Sequence, residues 1–523
     1  MNTGLKPLVV AFTMAVTSAS AATLRWSAAG ELVTCDPHSV TDTAGVVLTG
    51  HVYEKLVAFD RDYKLAPALA TSWERVSPTV MRFTLRRGVT FHDGAPFTAR
   101  DVVFSIQRIR HPHSLFKGTT NGFKEARLVD EHTVDITTER PLPTLLNQLA
   151  LVSIMSQSWS QRHKVSEPAN FAAGKEHFAT RNANGTGPYR LVSYESGGKA
   201  VFEAHAQWWG KREGNVTKAT YVPIKSNATR MAALISGEVD VLTDPPVQDL
   251  ERLKNAGGIK LLPIDEPRVI FLGFDVARGE LKYSNVKNKN PFKDRRVREA
   301  VRLSIDTRLI EQKVMRGHAR AIGSFVAQGI TGYSERVAAP HQPDSMRARQ
   351  LLSDAGYPNG FTVTLDCTND RYILDEQLCA AVAGMIARVG IIVTPNPRPK
   401  SIFFQKVDAS NRDTSLFIYG AFPTTVDAHT VLDSYMRTTT ADHGEFNTAG
   451  YSSPKMDALI DAALAELDPA KRNEFIEDAL RLNNEEVIYI PLHQQRPSWA
   501  MKRTIETPAR LDNNLDLRFV VVK

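Results

Sequence analysis

The stretch Leu65–Ile109, LAPALATSWERVSPTVMRFTLRRGVTFHDGAPFTARDVVFSIQRI, carries the signals of a strand, a tight turn and a capped helix. Apolar and polar residues alternate over Val80–Leu85, which is typical of a half-buried strand. The His-Asp-Gly sequence at 92–94 is typical of a turn. Thr98 lies three residues before Asp101, which predicts a capping box, and apolar residues follow at helical spacing. The stretch therefore predicts a compact α/β unit.

Length and charge set the outer limits of the interpretation. A chain of 523 residues is too long for one core, so we expect two or three domains. The hydrophobic share of 42% is ordinary for a soluble globular protein. The formal net charge is +7, but Lys and Arg are scattered along the chain and broken by acidic residues. Because nucleic-acid binding requires a basic patch or stripe, the sequence argues against that class.

The N-terminal residues have the pattern of a secretory signal peptide. Lys6 precedes a short apolar run from Leu8 to Val16, and Ala19-Ser20-Ala21 forms a cleavage pattern. Cleavage is expected near Ala21 or Ala22, which predicts an exported protein. An uncleaved anchor is the alternative, although the apolar run is shorter than the roughly 20 residues of a membrane span. No cysteine lies at the cleavage point, which argues against a lipid anchor.

Export changes how the three cysteines are interpreted. Cys367 and Cys379 flank a loop that leads into a helix, so a disulfide between them is plausible in an oxidising compartment. Cys35 would then remain unpaired. The alternative is three buried thiols, and the spacing does not suit a zinc site.

Beyond the opening stretch, helical and strand patterns alternate as in an α/β fold. Pro263–Asp275 predicts one strand, and Val487–Leu492, VIYIPL, predicts another.

The opening stretch resembles extracellular solute-binding protein family 5, which serves dipeptide, oligopeptide and nickel ABC importers. Members carry a "LAxxW…FxLRxGvxFhDGxpfxaxDVvfS" run, and the GTGPY turn at 185–189 and the SGEVD segment at 236–240 also match. The resemblance implies a two-lobed α/β fold of the type II periplasmic-binding-protein kind, with an extra subdomain inserted in the first lobe. In such a fold we expect the Pro263–Asp275 strand to carry the chain from one lobe into the next and the Val487–Leu492 strand to return it to the first lobe. The expected parts are a signal peptide (1–21), the first-lobe core (22–50, 185–266 and 490–523), the inserted subdomain (51–184) and the second lobe (267–489).

The implied function is the periplasmic substrate-binding component of an ABC importer. We expect a monomer that captures a dipeptide or short peptide between its lobes and delivers it to permease subunits served by separate ATPase subunits. An opine-like or sugar-linked anion is the alternative ligand. An exported hydrolase is the alternative of another class, although the sequence has no H-E-x-x-H, G-x-S-x-G or P-loop motif. A chaperone-like or signalling receptor would use the same cleft. No cofactor, metal or enzymatic activity is expected.

Arg371, followed by Tyr372, is the leading candidate for ligand binding. It lies after a predicted strand and before a helix, where binding residues collect in α/β lobes. A guanidinium can bind a peptide carboxylate with two hydrogen bonds, and dipeptide binders of the family use an Arg in the comparable loop. The alternative is that Arg371 pairs with Asp370 or Asp375 at the surface.

The second candidate region is the loop from Tyr419 to Leu432. Peptide binders of the family carry a "GWxxDxxxPxxF"-like loop there, whose Asp pairs with the peptide amino group. Thr424 takes the place of that Asp here, and Phe422 lies near the place of the usual Trp. Asp427 could take over the amine role or act as a helix N-cap.

Three further residues complete the list of candidates. Trp499 could form an aromatic wall of the cleft, and core packing is the alternative. His429 and His493 could be ligands of a nickel carrier, but two isolated histidines are weak evidence for a metal site.

Overall fold

The computed structural model describes residues 21–40, 42–170 and 173–523. Apart from Ala21, the expected signal peptide lies outside these residues. None of the helices in the described part of the chain is both long and apolar enough to cross a membrane.

The first lobe is built on a seven-stranded mixed sheet. Its central strand, Ala22–Ser27, runs parallel to Val216–Tyr221 on one side and to Val241–Leu242 on the other. The strands are, in spatial order, Ile259–Pro263, Ser498–Lys502, Val241–Leu242, Ala22–Ser27, Val216–Tyr221, Ala200–Ala204 and Tyr189–Tyr194.

The second lobe is built on a six-stranded sheet covered on both faces. Every residue of its strand Val269–Phe274 is buried. Ile270 and Leu272 enter one hydrophobic core and Phe271 enters the other, so both faces of the sheet are apolar. The strands are, in spatial order, Ala319–Arg320, Tyr489–Gln495, Val269–Phe274, Leu416–Ala421, Thr362–Thr368 and Ile392–Arg398.

The opening stretch forms two strands of a separate four-stranded antiparallel sheet and the helix Ala99–Ile109. The predicted alternation is confirmed, because Met81, Phe83 and Leu85 are buried. The capping box is also confirmed, since the Asp101 carboxylate accepts a hydrogen bond from the backbone N–H of Thr98 at 2.9 Å. The strands are, in spatial order, Ala70–Ser77, Val80–Leu85, Thr133–Thr138 and Phe123–Asp130.

Helices and two small ladders complete the described structure. Val57–Phe59 pairs with Leu65–Pro67, and Ile505–Glu506 pairs with Val521–Val522. The α-helices are Thr43–Gly50, Ala99–Ile109, Leu145–Leu149, Gln157–Arg162, Asn227–Ser236, Leu250–Asn255, Arg295–Ser304, Thr307–Leu309, Glu335–Ala338, Ser345–Asp354, Asp375–Ala387, Lys400–Val407, Ala428–Val431, Pro454–Ala465 and Pro469–Glu486.

The structure moves one boundary between the lobes. Val487–Leu492 was expected to return the chain to the first lobe, with that lobe resuming at residue 490. Instead, Tyr489–Gln495 pairs with Val269–Phe274 in the second-lobe sheet, and the first lobe resumes with Ser498–Lys502. The apolar run fits either sheet equally well, and only the long-range pairing decides between them. The chain therefore crosses between the lobes at 264–268 and at 496–497.

Candidate functional site

The cleft lies where the carboxyl edges of the two sheets meet. In the second lobe, Thr362–Thr368 and Leu416–Ala421 are parallel and end on the side where the chain crosses to the other lobe. In the first lobe, Ala22–Ser27 ends on the side where Ser498–Lys502 begins. Ligands of open α/β sheets bind outside the carboxyl ends of the strands. The loops that follow these strands are therefore the candidate binding surface.

The two crossing segments are hydrogen-bonded to each other. The backbone N–H of Ile264 donates to the carbonyl of Pro497 at 2.8 Å, and that of Gln495 donates to the carbonyl of Arg268 at 2.9 Å. The Glu266 carboxylate accepts from the Gln495 amide at 3.1 Å and from Arg268 at 3.2 Å. This paired connection has the form of a two-stranded hinge.

The lobes are in contact across the cleft. The side-chain amide of Asn147, in the inserted subdomain, donates to the carbonyl of Thr425 in the second lobe at 2.8 Å. Leu464 of the second lobe is buried in the core of the four-stranded sheet. The inserted subdomain and the second lobe are therefore in contact.

Arg371 lies on the carboxyl edge of the second-lobe sheet with an exposed side chain. Among the described residues, no carboxylate lies within 4.0 Å of its guanidinium. Asp375 instead accepts from the backbone N–H groups of Arg371 and Tyr372, at 3.0 and 3.1 Å. Asp370 accepts from the backbone of Lys400 at 2.7 Å. Both acidic neighbours are thus engaged with backbone groups, and the guanidinium remains available to a ligand.

Tyr372 supports the loop from beneath. It is 8% exposed, and its hydroxyl accepts a hydrogen bond from the backbone N–H of Gly420 at 3.1 Å. A Cβ at Gly420 would lie 2.7 Å from the Tyr372 ring, so this contact requires glycine. Burial raises the pKa of Tyr372, while the charges of Arg268 and Arg371 oppose the shift. The Arg371 guanidinium carbon lies 5.4 Å from the centre of the Tyr372 ring.

Arg268 is a charged residue of the cleft that the sequence did not single out. Its guanidinium carbon lies 4.8 Å from the centre of the Phe422 ring, and it pairs with Glu266 at 3.2 Å. Phe422 is half-buried and Thr424 is exposed in the same loop. The only sequence signal for Arg268 is its position immediately before a fully apolar strand at a lobe crossing.

Tyr419 is half-buried in an aromatic cluster on the other face of the sheet from Tyr372. Its ring centre lies 5.9 Å from that of Phe271, 5.8 Å from that of Tyr435 and 5.5 Å from that of Phe404. Burial raises the pKa of its hydroxyl well above the ordinary range.

Asp427 has a structural role. It is 2% exposed, and its two carboxylate oxygens accept hydrogen bonds from the Arg472 guanidinium at 2.7 and 2.9 Å. It also caps the helix Ala428–Val431 by accepting from the backbone N–H of His429 at 2.9 Å. Because its charge is neutralised inside the lobe, we do not carry forward the expectation that it binds a ligand amine.

Trp499 and the two histidines also lie in the interior. Trp499 is fully buried and its indole N–H donates to the side chain of Asn513 at 2.8 Å, so it packs the first-lobe core instead of lining the cleft. His493 is fully buried, which lowers its pKa to about 4, and burial also lowers the pKa of His429. Neither belongs to a cluster of three potential metal ligands among the described residues.

The disulfide predicted between Cys367 and Cys379 is confirmed. Cys367, at the end of a second-lobe strand, and Cys379, in the following helix, are joined by a disulfide with Cα atoms 6.3 Å apart. Cys35 is a free, buried thiol. The disulfide fastens the strand and the helix that flank the Arg371 loop.

Two α/β lobes joined by a double crossing, with loops facing each other across the cleft, form the fold of type II periplasmic binding proteins. The family model "Bacterial extracellular solute-binding proteins, family 5 Middle" matches residues 64–443. The chain belongs to this family, as the resemblance of its opening stretch implied. Family 5 proteins are periplasmic ligand-binding proteins that work with the permease and ATPase subunits of ABC importers, and the family consists of binding proteins rather than enzymes.

Individual relatives differ in what they carry. A glutathione-binding protein, GsiB, of Pectobacterium atrosepticum is 28% identical over 479 residues, covering 89% of this chain and 88% of its own. The structure of DppA from Helicobacter pylori in complex with the peptide STSA superposes with a TM-score of 0.76 at 22% identity, covering 96% and 98% of the two chains. AgaA from A. tumefaciens R10, in complex with agropinic acid, gives a TM-score of 0.75 at 23% identity, covering 96% and 99%. At these identities the structural matches establish the fold.

Proposed function

We propose that this protein captures a dipeptide or short peptide between its lobes, holds the ligand's carboxylate on Arg371, and delivers the ligand to an ABC permease. One observation carries the proposal: Arg371 presents a guanidinium with no acidic partner among the described residues, at the carboxyl edge of the second-lobe sheet. Arg268, which is paired with Glu266 at 3.2 Å, lies against Phe422 in the neighbouring loop. The edge is therefore suited to an anionic group.

The free energy of a contact between Arg371 and a carboxylate is large enough to contribute to ligand binding. A hydrogen bond to a charged group contributes about 1.5–3 kcal/mol, and a bidentate pair adds geometric selectivity. A ligand that contacts Arg371 and the first lobe at once binds the closed form better than the open form, which favours closure. This preference is what a binding protein needs to signal occupancy to a permease.

Recognition of a free α-amine by the Tyr419–Leu432 loop is not part of the proposal. Thr424 has no charge, and Asp427 is paired with Arg472 inside the lobe. A ligand amine, if present, must therefore be bound elsewhere.

An opine-like anion is the second candidate ligand. Arg371 would bind its carboxylate, and the fold is similar to that of a protein solved in complex with agropinic acid. The absence of the family's acidic residue at Thr424 favours a ligand without a free α-amine.

Native mass spectrometry of the purified protein, followed by denaturation, identifies any ligand that it carries. Titration calorimetry then compares the wild type with Arg371→Ala, Arg371→Lys and the control Arg347→Ala, which removes an exposed arginine from the outer helix Ser345–Asp354. We expect Arg371→Ala to weaken binding about 10- to 100-fold, with partial retention in Arg371→Lys and none lost in the control. Unchanged affinity in Arg371→Ala would overturn the carboxylate anchor.

A further inference from the structure

Two histidines and a glutamate form a cluster in the inserted subdomain, apart from the Arg371 loop. His111, His113 and Glu167 each offer one potential metal-ligand atom, and these atoms all lie within 4.8 Å of one another. The Nε2 atom of His111 lies 3.6 Å from a carboxylate oxygen of Glu167. The sequence did not single out this cluster, because Glu167 is far from the two histidines along the chain.

The two histidines lie on a short turn immediately after the helix Ala99–Ile109. The backbone N–H of His111 donates to the carbonyl of Arg108 at 3.1 Å, and that of Ser114 donates to the carbonyl of His111 at 2.9 Å. A proline separates the two histidines and restricts the backbone between them. Their ring centres are 4.7 Å apart, so the turn presents both imidazoles side by side.

A buried ion pair holds the backbone of Glu167 against the same helix. The Arg108 side chain is fully buried and donates to the two carboxylate oxygens of Asp36 at 2.7 and 2.8 Å. The same guanidinium donates to the carbonyl of Glu167 at 3.1 Å, and that carbonyl lies 3.2 Å from Nε2 of His177. Because Arg108 is hydrogen-bonded to the backbone of both His111 and Glu167, these two candidate ligands are held near each other by the fold.

The Glu167 carboxylate is accessible to a cation. Its side chain is 72% exposed, and among the described residues no lysine or arginine lies within 4.0 Å of the carboxylate. The amide nitrogen of Asn170, in the same loop, lies 3.2 Å from Nε2 of the exposed His113. Both histidines therefore contact the loop that carries Glu167, and the cluster opens to solvent.

We propose that His111, His113 and Glu167 bind a divalent transition-metal ion such as zinc. Imidazole nitrogen suits zinc, nickel and copper, whereas calcium and magnesium prefer sites built of oxygen ligands. Ligand atoms around a tetrahedral zinc ion are about 3.3 Å apart, so the pair at 3.6 Å needs little adjustment. The exposed side chain of His113 can rotate to complete the set. Three protein ligands leave one coordination position for water.

Metal binding requires a change of tautomer in His111. Its Nδ1 accepts a hydrogen bond from the backbone N–H of His113 at 3.2 Å, so the proton of the neutral ring is on Nε2. A metal ion on Nε2 moves that proton to Nδ1 and ends this contact, with no net gain or loss of protons by the ring. The contact is exposed, so water can replace the lost hydrogen bond of the backbone N–H.

Isothermal titration calorimetry with zinc chloride tests the site on the full mature protein, purified without a polyhistidine tag and treated with a chelator. The ligand variants are His111→Gln, His113→Ala and Glu167→Gln. The control is His443→Gln, which removes a histidine paired with Asp433 at 3.0 Å, a pair that belongs to no cluster of three potential ligands among the described residues.

We expect one zinc ion per chain. Each ligand variant should bind it at least tenfold more weakly, because even the outer partner of a metal ligand is typically worth about 10- to 100-fold in affinity. The affinity of the control should be unchanged. Calcium should bind at least tenfold more weakly than zinc, and equal affinities would mean that carboxylates alone attract the ion, which would overturn the proposal. Equal zinc affinities in the wild type and the ligand variants would indicate an adventitious ion only and would overturn it as well, as would no zinc binding to the wild type.

Electron paramagnetic resonance of the copper-loaded protein identifies the ligands directly. We expect coupling to two nitrogens in the wild type and in Glu167→Gln, and to one nitrogen in each histidine variant. Two coupled nitrogens in His113→Ala would place the ion elsewhere and refute the site. Circular dichroism and the Tm of the metal-free variants show whether they are folded, and zinc should raise the Tm of the wild type more than that of any ligand variant. No transported solute enters these measurements, so their outcome is independent of the proposed function.

Discussion

Replacing Asp427 should destabilise the second lobe, and we expect no direct effect on ligand contacts. The Asp427 and Arg472 side chains are 3% and 6% exposed and are joined by two hydrogen bonds of 2.7 and 2.9 Å. The Arg472 guanidinium also donates to the carbonyl of Ala463 at 2.8 Å. Asp427→Ala would leave this guanidinium buried with a single carbonyl as its remaining partner.

The expected loss follows from these contacts. Breaking a buried ion pair by removing one partner costs about 3–5 kcal/mol, and losing an N-cap costs about 1 kcal/mol more. The free energy of unfolding should therefore fall by about 4–6 kcal/mol in Asp427→Ala. If the second lobe, roughly 230 residues, unfolds as one unit with about 2.1 cal/mol/K per residue, its Tm falls by about 8–12 °C.

Two variants separate the ion pair from the cap. Asp427→Asn keeps a good N-cap and loses only the charge, so we expect it to be about 1 kcal/mol less damaging than Asp427→Ala. The double variant Asp427→Asn with Arg472→Met removes the orphaned charge and should recover at least 2 kcal/mol relative to the sum of the single changes. Asp442→Ala, an exposed acidic residue of the same lobe, is the control.

Differential scanning calorimetry and urea unfolding followed by circular dichroism measure these differences. A loss below 1 kcal/mol in Asp427→Ala, together with a 100-fold loss of ligand affinity, would refute the reasoning. That result would mean that the carboxylate faces the ligand and that Arg472 does not need it.

Three further predictions concern the cysteines and a buried acidic residue. Replacing Cys367 and Cys379 by Ser should lower the free energy of unfolding by about 3 kcal/mol, as loop-closure entropy predicts for a short loop. Reduction before alkylation should raise the mass of the wild type and leave that of the Ser variant unchanged. The Cys35 thiol, whose pKa burial raises to about 12, should resist iodoacetamide at pH 8 until urea unfolds the protein; modification of the native protein would contradict the burial. Burial opposes ionisation of Asp36, but the charge of Arg108 and hydrogen bonds from its guanidinium and a histidine hold the pKa of that carboxyl well below its usual range. The ionised Asp36 therefore stabilises the fold fully above about pH 4, and this contribution is lost as pH falls. Asp36→Asn should flatten the acid side of a plot of Tm against pH, and an unchanged slope would refute this.

The sequence predicted the structure correctly where residues close together in the chain decide it. The strand alternation and the capping box at Thr98 both depend on residues a few positions apart, and both are confirmed. The boundary near residue 489 depended on which sheet an apolar strand joins, and nothing in VIYIPL distinguishes the two sheets. Pairing over such a distance along the chain is decided by the fold as a whole.

The candidate site shows the same difference between features set by nearby residues, which could be predicted, and features set by distant contacts, which could not. Arg371 could be found from its place after a strand, because the carboxyl ends of parallel strands collect binding residues in any α/β lobe. The pairing of Asp427 with Arg472 could not be found, since the partners are 45 positions apart and belong to different helices.

The hinge is connected directly to the loop that would hold the ligand. The side chain of Gln495, the last residue before a crossing, accepts from the backbone N–H of Ile373 and donates to Glu266 of the other crossing, both at 3.1 Å. Glu266 in turn holds Arg268 against Phe422. A ligand that immobilises Arg371 therefore also restrains the segment bonded to the hinge. Because these contacts join the crossings to the Arg371 loop, ligand binding at that loop can favour closure through the hinge.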